Sequence, residues 1–456
     1  MNENHREARS LYGHPRGLAI LFCTEMWERF SYYGMRALLV LYMVNYLLLP
    51  ERLNGSVGLS ELKLLLEKIF GPLEVQPLAS QIYGLYTSLV YLTPIMGGLI
   101  ADRWLGRTTT IIIGGTLMFL GHFLMASEHY FLPALLLLIL GVGAFKPNIS
   151  TQVGELYASN DHRRDRAYSI FYVGINLGAC LAPLVAGTLG ERMGWDYGFA
   201  CAGIGMIIGL AIYLWGFADL PESSLPATGS LMQQKQKTIV GEAYAEHGRL
   251  WLILLFAPSV FFWAAFEQQG NTIALWAETF TNRNVSFFGM HFEIPTTWFQ
   301  ALNPLMIFVF TPLLVALWDH MAQVTREPET VVKLIVGCFG VSLSYLVMTI
   351  AAWTADAARV SPLWLLLYFA LITVSELLFS PITLSLASSV APRDARGLTM
   401  GIWFLSIFLG NLLSGWIGGF WSTLPPASFF ALVGLIAALG GVIIFIARLW
   451  LDDALS

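Results

Sequence analysis

Seven charged residues interrupt stretches of sequence that are otherwise apolar. They comprise four acids and three bases: Glu25, Glu28, Glu267, Glu376, Arg29, Arg36 and Lys146. Seven lipid-exposed charges would cost on the order of 20 kcal/mol on insertion scales, more than a typical folding stability of about 5 to 15 kcal/mol. These side chains are therefore expected to face a wet cavity or one another. Internal ion pairs that only fix helix packing are the alternative, but the set holds one negative charge too many.

The first apolar stretch shows how such residues can share one helix face. At about 100° per residue, six side chains fall within an arc of about 140°: Glu25, Glu28, Arg29, Tyr32, Tyr33 and Arg36. Arg29 lies four residues from Glu25 and one from Glu28, so it can pair with either carboxylate. Protonation of one carboxylate would free Arg29 to change partner. The spacing therefore predicts that a proton can control which carboxylate Arg29 pairs with.

A second candidate face surrounds Glu267. Trp263, Glu267 and Asn271 recur every four residues, which places them on one side of a helix. Apolar surroundings favour the neutral, protonated form of a carboxyl group unless a cation is close. Glu267 is therefore a candidate for loading and releasing a proton.

The composition requires a membrane. Of 456 residues, 56% are hydrophobic and only 12% are charged, whereas soluble proteins carry about 25% charged residues. The net charge of -5 argues against nucleic acid as a partner, because phosphate binding needs a basic surface. No cofactor or metal is expected, since the four cysteines lie in apolar runs without a metal-binding or disulfide pattern: Cys23, Cys180, Cys201 and Cys338.

Twelve apolar stretches have the length that a bilayer core requires, roughly 20 residues. They lie near residues 17–49, 79–100, 108–125, 131–154, 168–189, 197–217, 250–280, 297–318, 331–353, 363–390, 397–421 and 427–449. The polar stretch 218–249 is interpreted as a linker between an N-terminal six-helix bundle, 1–217, and a C-terminal one, 250–456. Two such halves around a central site make the major facilitator plan. The predicted fold class is an all-α membrane protein of the major facilitator fold, with 12 transmembrane helices.

The distribution of basic residues predicts the orientation. With the N-terminus inside, about 16 Lys and Arg fall on inner segments and about 6 on outer segments, which is the expected bias. Both termini and the linker are therefore predicted to be cytoplasmic. The outer stretch 58–70 has helical periodicity, and an interfacial helix is the simplest interpretation.

Longer motifs run through these stretches. Residues 25–34 read EMWERFSYYG and fit the pattern ExxERFxYYG, and further motifs are GGLIADRWLGR at 97–107, FKPN at 145–148, FYVGINLG at 171–178, FWAAFEQQG at 262–270, FQALNP at 299–304, SELLFSP at 375–381 and MGIWFL at 400–405. Together they resemble the proton-coupled oligopeptide transporter family of the major facilitator superfamily, over almost the whole chain. The segment 97–107 by itself indicates only the superfamily.

The resemblance implies how a peptide would be held. In relatives, the bases matching Arg36 and Lys146 bind the carboxylate of a peptide, and the acid matching Glu376 engages its amine. The asparagines matching Asn176 and Asn303 bind the peptide backbone or termini. The aromatic residues that line the side-chain pockets match Tyr32, Tyr33, Tyr83, Trp263 and Trp403. Independently of the resemblance, two cations on one half and an anion on the other suit a zwitterion with variable side chains.

The resemblance also implies which residues couple transport to protons. They are the residues matching Glu25, Glu28, Arg29 and Glu267. The second span holds no His, where animal members carry a functional one, so coupling must rely on carboxylates. His122, in the third span, is interpreted as a packing or hydrogen-bonded residue. Residues 218–249 hold no apolar run near 18 residues, so the two additional helices of many bacterial relatives are not expected.

The expected function is a symporter that imports di- and tripeptides with protons by alternating access. It is expected to work as a monomer in the inner (plasma) membrane, with peptides, protons and lipid as its partners. A transporter of another anion, such as nitrate, is the nearest alternative. An intramembrane enzyme is disfavoured because the spans hold no HExxH, GxSxG or catalytic Asp pair. A receptor is disfavoured because no soluble sensor or effector domain is recognised in the sequence. Buried charges on both halves argue against a channel.

Overall fold

The computed structural model describes residues 10–11, 13–158, 161–221, 256–287, 290–324, 328–355, 359–389 and 396–455. Most of these residues are helical, as the apolar runs predict, and two short antiparallel hairpins accompany the helices. The first hairpin pairs β1 (Ser10–Leu11) with β2 (His14–Pro15). The second pairs β3 (Asn284–Phe287) with β4 (Met290–Glu293).

The described part of the chain before residue 222 contains seven α-helical segments, besides short 3₁₀ turns at Leu53–Gly55, Glu128–Tyr130 and Phe217–Asp219. The seven segments are α1 (Arg16–Tyr42), α2 (Leu59–Phe70), α3 (Val75–Ile100), α4 (Arg107–Met125), α5 (Phe131–Glu155), α6 (Arg163–Ala182) and α7 (Trp195–Trp215). Helix α1 continues into a π-helical turn, Met43–Leu47, and α3 into another, Ala101–Leu105. Helix α6 continues through Pro183–Gly187 to Thr188–Met193. Gly106 separates α3 from α4 at φ +73°, a left-handed conformation that glycine adopts without strain.

The described residues after 255 contain six further helices. The first, α8, covers 256–266 and continues through a 3₁₀ turn, Glu267–Gly270, to Thr272–Thr279. The others are α9 (Leu302–Val324), α10 (Thr330–Thr354), α11 (Leu363–Ser389), α12 (Arg396–Gly418) and α13 (Pro426–Leu455). A 3₁₀ helix, Thr296–Ala301, leads into α9.

Ten helices among the described residues are long and apolar enough to cross a membrane. Helix α1 is not one of the ten, although its 27 residues give about 40 Å at 1.5 Å per residue. It carries the charged face predicted from the sequence, and α8 is broken by its 3₁₀ turn. The prediction of a helical, membrane-spanning fold is confirmed, whereas the count of twelve spans stays a prediction.

The chain divides into two compact units. Unit 1 comprises Met1–Tyr42, Pro50–Leu62 and Leu92–Lys237, and unit 2 comprises Met43–Leu49, Lys63–Tyr91 and Thr238–Ser456. The first half of α3 and most of α2 are therefore grouped with the C-terminal helices. The predicted linker 218–249 lies outside the described residues from 222 onward. The bundles 1–217 and 250–456 stay a prediction.

Close approach at glycines shapes unit 1. Helix α1 packs against α6 and α7, and α4 packs against α5 and α7. A Cβ atom placed on Gly178 of α6 would lie 2.9 Å from the Cβ of Arg29. Small residues let membrane helices approach in this way, and Gly178 thereby brings α6 against the charged face of α1.

Aromatic packing dominates unit 2. Phe262 of α8 stacks on Phe379 of α11 with ring centroids 3.9 Å apart, and both belong to one large buried cluster that extends over α8 to α13. The first half of α3 joins this unit through glycine, because a Cβ on Gly84 would lie 2.6 Å from the Cα of Gly415 in α12. The unit therefore holds its helices by ring stacking and close backbone contact.

The predicted helix at 58–70 is present as α2. Its outward side exposes Leu64, Leu65 and Ile69, and Lys63 pairs with Glu67 at 3.7 Å along the helix. An exposed apolar side beside charged residues is typical of a helix that lies in a membrane interface. Its placement at the interface stays a prediction.

Hydrogen bonds from the start of α6 and from the segment before it hold the first hairpin. Arg163 donates to Asp161, with Nη2 2.7 Å from Oδ2, and this bond lowers the pKa of Asp161 to about 2. Arg163 also donates to the carbonyl of Gly13 at 3.0 Å. Burial raises the pKa of Tyr157 to about 12, and its hydroxyl lies 2.8 Å from Nδ1 of His14. The hairpin thus rests on the start of α6 and on the segment before it.

Candidate functional site

The charged face of α1 forms a buried ionic cluster in unit 1. Glu25, Glu28 and Arg29 are almost wholly buried. Nε of Arg29 lies 3.0 Å from Oε1 of Glu25 and also pairs with Oε2 of Glu28. One guanidinium therefore serves two carboxylates, as the sequence spacing predicted.

Lys146 brings a second cation to this cluster. It lies on α5, half-buried, within electrostatic range of both Glu25 and Glu28. Two acids and two bases are thus gathered from α1 and α5. Because burial of an unpaired ion costs several kcal/mol, this balance of charge explains how the cluster is tolerated inside the helix bundle.

Aromatic rings continue the face along α1. The guanidinium of Arg29 lies 5.6 Å from the ring centroid of Tyr32, and that of Arg36 lies 5.8 Å from the ring of Tyr33. The two rings meet edge to face at 5.1 Å. A cation over an aromatic face is stabilised by the ring quadrupole, so the tyrosines hold both arginines in place. Arg36 is half-buried and remains a candidate for an external anion.

Asn176 of α6 lies in the same unit. Its side chain is buried, and Nδ2 donates to the carbonyl of Tyr172 at 3.0 Å. Bonding to the preceding turn is common for polar side chains within helices. The structure therefore gives Asn176 a local partner, and its predicted contact with a substrate stays a prediction.

Unit 2 holds a second polar centre, at Glu376 of α11. Nδ2 of Asn303, on α9, donates to Oε2 of Glu376 at 2.9 Å and lies 3.1 Å from Oγ1 of Thr373. Asn303 and Glu376 were both predicted site residues, and the structure brings them together. Thr373 was missed, although its spacing of three residues from Glu376 already placed it on the same helix face.

Glu267 stands where α8 changes its geometry. The helix is α-helical to residue 266 and turns to 3₁₀ at Glu267–Gly270. Glu267 is buried, and Trp263, one turn earlier, packs edge to face on Phe262 and Phe266. The expected regular spacing of Trp263, Glu267 and Asn271 along one face is therefore broken at Glu267. Short 3₁₀ stretches inside helices often mark functional hinges.

Two further predicted residues lie in unit 2. Nε1 of Trp403, on α12, donates to Oγ1 of Thr383 at 3.3 Å. Tyr83 is fully buried on α3 and belongs to unit 2, although its position in the sequence lies in the predicted N-terminal bundle. Of the predicted residues, eight thus lie in unit 1 and six in unit 2.

The chemistry of the two sets differs. The α1 cluster offers cations beside two carboxylates that share Arg29. Cations suit binding of an anion, and the shared pairing suits movement of a proton. The second centre offers a carboxylate that accepts a bond from the amide of Asn303, and a carboxylate suits binding of an amine. None of the described residues forms a group of three or more His, Cys, Asp or Glu that could hold a metal ion.

A protein-family model described as "POT family" matches residues 108–247 and 242–429, well over half of the chain. The chain belongs to the POT family. The resemblance predicted from the sequence motifs is thereby confirmed, and this POT family chain is a multi-pass membrane transporter.

Relatives of this POT family chain match it along nearly its whole length. A "Di-/tripeptide transporter" of Lactococcus lactis subsp. cremoris is 34% identical, covering 98% of both chains. The "Peptide transporter YePEPT" of Yersinia enterocolitica subsp. palearctica is 34% identical, covering 90% of this chain and 89% of its own. The alignment with the Lactococcus protein has 506 positions against the 456 residues here, so that protein carries residues without a counterpart in this chain.

Solved structures of the family share the fold. A mutant of "peptide transporter POT" in complex with alafosfalin is 30% identical with a TM-score of 0.82, and covers 98% of both chains. A "POT family transporter in complex with 5-aminolevulinic acid" is 25% identical with a TM-score of 0.82, covering 96% of this chain and 97% of that one. The major facilitator plan expected from the sequence agrees with these neighbours.

Proposed function

We propose that this protein imports di- and tripeptides together with protons, by alternating access between its two helix bundles. The observation that carries the proposal is the sorting of charge. Unit 1 gathers Arg36, Lys146 and the Arg29 cluster, whereas unit 2 presents the carboxylate of Glu376 beside Asn303. A peptide of any sequence has one carboxylate and one amine, so this sorting fits its two ends.

The relatives support a peptide as substrate. The Lactococcus relative is named for di- and tripeptides, the Yersinia relative for peptides, and one structural neighbour holds alafosfalin. Arg36, Lys146 and Glu376 are proposed to bind the termini of the peptide. The side chains of the peptide would then contact aromatic residues that line the site. Tyr32, Tyr33, Tyr83, Trp263 and Trp403 are the residues proposed for that lining, with Asn176 and Asn303 binding the backbone or termini.

Proton coupling is proposed for two places. In the first, protonation of Glu25 or Glu28 would release Arg29 toward the other carboxylate, because one guanidinium serves both. In the second, Glu267 is a buried carboxyl group at a helix break, where gain or loss of a proton would act on the geometry of α8. A proton on either site changes the charge of the face beside it, which biases the conformational change.

The driving force is adequate. One proton crossing 100 mV releases about 2.3 kcal/mol, which corresponds to roughly fifty-fold accumulation of a neutral peptide at about 1.4 kcal/mol per tenfold. The proposed location is the inner (plasma) membrane with both termini in the cytoplasm, on the bias of basic residues. The monomer is proposed as the functional form, since one chain supplies both sets of charges.

Uptake into proteoliposomes tests the proposal directly. Purified protein in vesicles with an inward proton gradient is expected to accumulate labelled dialanine above its external concentration, and to stop when a protonophore is added. Excess unlabelled dipeptides should compete, whereas nitrate should not. Competition by nitrate alone would support the anion transporter instead, and no accumulation with any dipeptide would contradict the proposal.

A further inference from the structure

Two buried tyrosines form a hydrogen-bonded chain that ends beside Glu267. Tyr345 lies on α10 and Tyr368 on α11, and both are fully buried. The hydroxyl of Tyr345 donates to the backbone carbonyl of Ala265 at 2.8 Å, and the two hydroxyl oxygens lie 2.9 Å apart. Neither tyrosine belongs to the sets already assigned to peptide binding or proton coupling.

The direction of this chain follows from the groups it joins. A hydroxyl has one proton to donate, and a backbone carbonyl only accepts. The proton of Tyr345 is committed to Ala265, so the bond between the hydroxyls must be donated by Tyr368. The oxygen of Tyr345 then accepts one bond and keeps a second lone pair. The order is Tyr368 to Tyr345 to Ala265.

This chain ends at the point where α8 changes its geometry. Ala265 is two residues before Glu267, at which the α-helix becomes 3₁₀. A side chain bonded into the hydrogen-bond ladder of a helix is one of the recognised causes of a local distortion. Tyr345 also lies within electrostatic range of Glu267. The hydroxyl therefore acts on the backbone that carries Glu267 and on the field around it.

Packing alone does not account for the two hydroxyls. The tyrosine rings meet edge to face at 5.3 Å, and Phe430 lies 6.2 Å from Tyr345 in the same aromatic cluster. A phenylalanine would fill either place without a polar atom, and burial of a hydroxyl costs free energy unless it is bonded. What the hydroxyls add is the bonded chain to Ala265.

We propose that Tyr345 and Tyr368 are positioning residues for proton coupling, which hold the α8 break and so set the orientation of Glu267. The inference rests on the proposed function, with Glu267 as a proton-carrying residue. It adds α10 and the first half of α11 to the coupling apparatus, two regions in which no coupling residue was predicted.

The Tyr345→Phe variant tests the inference in proteoliposomes. Proton-driven accumulation of dialanine is measured against external pH, and exchange of labelled for unlabelled dialanine is measured without a gradient. Loss of one hydrogen bond corresponds to roughly a fivefold change in an equilibrium. Accumulation is expected to fall about fivefold and the midpoint of its pH profile to move by about 0.7 pH unit, while exchange stays within about twofold.

Two further variants make the result specific. Tyr368→Phe keeps the bond of Tyr345 to Ala265 and should move the midpoint in the same direction by less, and it carries the test if Tyr345→Phe does not fold. Tyr213→Phe is the matched control, because Tyr213 is also fully buried and donates to Gln152 at 2.9 Å in unit 1. It should leave the midpoint unchanged.

These outcomes distinguish failure of the inference from failure of the proposed function on which it rests. An unchanged midpoint in the folded Tyr345 or Tyr368 variant overturns the inference, and so does an equal shift in Tyr213→Phe. If the unaltered protein fails to accumulate dialanine, or Glu267→Gln accumulates it normally, the proposed function or its coupling residue is wrong, and the inference fails with it.

Discussion

The acidic residues of the two units are held in different ways. In unit 1, Glu25 and Glu28 share the guanidinium of Arg29 on a regular helix, with Lys146 close by. In unit 2, Glu376 receives a bond from the neutral Asn303, and Glu267 lies at a break in α8 near Tyr345. The first arrangement is an ionic cluster within one helix face, whereas the acids of unit 2 lie beside an amide and at a helix break.

This difference assigns different tasks to the two regions. Countercharges make the α1 cluster costly to take apart, because each ion would lose a buried partner. At Glu267, the helix break is a place where gain or loss of a proton can act on backbone geometry. We therefore expect unit 1 to contribute more to stability and anion binding, and unit 2 to respond more to protons.

The largest expected effect is loss of stability on removal of Arg29. Arg29→Ala leaves two buried carboxylates without their shared cation, which should cost about 3 to 5 kcal/mol. Thermal unfolding of the purified protein measures this loss. Glu376→Gln is the counterpart in unit 2 and should cost less than about 1 kcal/mol, since an amide oxygen still accepts a bond from Asn303. Equal losses would remove the distinction between the two regions.

The next largest effect concerns coupling at Glu267. Glu267→Gln cannot carry a proton, so proton-driven accumulation of dialanine should fall toward the external concentration, a loss of up to roughly fifty-fold at 100 mV. Exchange of peptide without a gradient should persist. Glu329→Gln is a matched control in unit 2, because Glu329 is an exposed partner of Arg448 at 2.8 Å, and it should accumulate peptide normally. Parallel loss of accumulation and exchange in Glu267→Gln would refute its coupling role.

A smaller effect is expected at the proposed carboxylate site. Arg36→Ala should weaken competition by dialanine roughly tenfold, the size of a charge-assisted hydrogen bond, and should change competition by a C-terminally amidated dipeptide little. Glu376→Gln should weaken competition by a dipeptide with a free amine and should change competition by an N-acetylated dipeptide little. If competition by both dipeptides weakens equally in Arg36→Ala, the assignment of the peptide's ends to the two units is wrong.

The smallest effect is expected at the surface of unit 1. The pKa of Asp161 is lowered to about 2 by Arg163, so its stabilising bond is complete above the ordinary value near 3.9 and is lost as the pH falls from there toward 2. Asp161→Asn should therefore narrow the difference in thermal stability between pH 7 and pH 3, with transport unchanged. A stability difference identical to that of the unaltered protein would show that this exposed pair contributes nothing.

Much of the fold could be predicted from the sequence because a helix in a membrane requires a continuous run of apolar residues. The apolar runs predicted the helices. The pairing of Arg29 with Glu25 also followed, since residues four apart on a helix are neighbours. The break of α8 at Glu267 did not follow, because no proline lies in residues 259–279 and the bond of Tyr345 to Ala265 joins residues far apart in the chain.

Sequence alone determined that this chain lies in a membrane, that seven charges need partners or water, and that its motifs are those of the POT family. These conclusions rest on composition and on spacing along a helix, which are one-dimensional properties. Only the tertiary structure decided that Asn303 binds Glu376, that Lys146 joins the α1 cluster, and that Tyr345 reaches the break before Glu267. Those contacts depend on how helices distant in sequence pack, which no local pattern specifies.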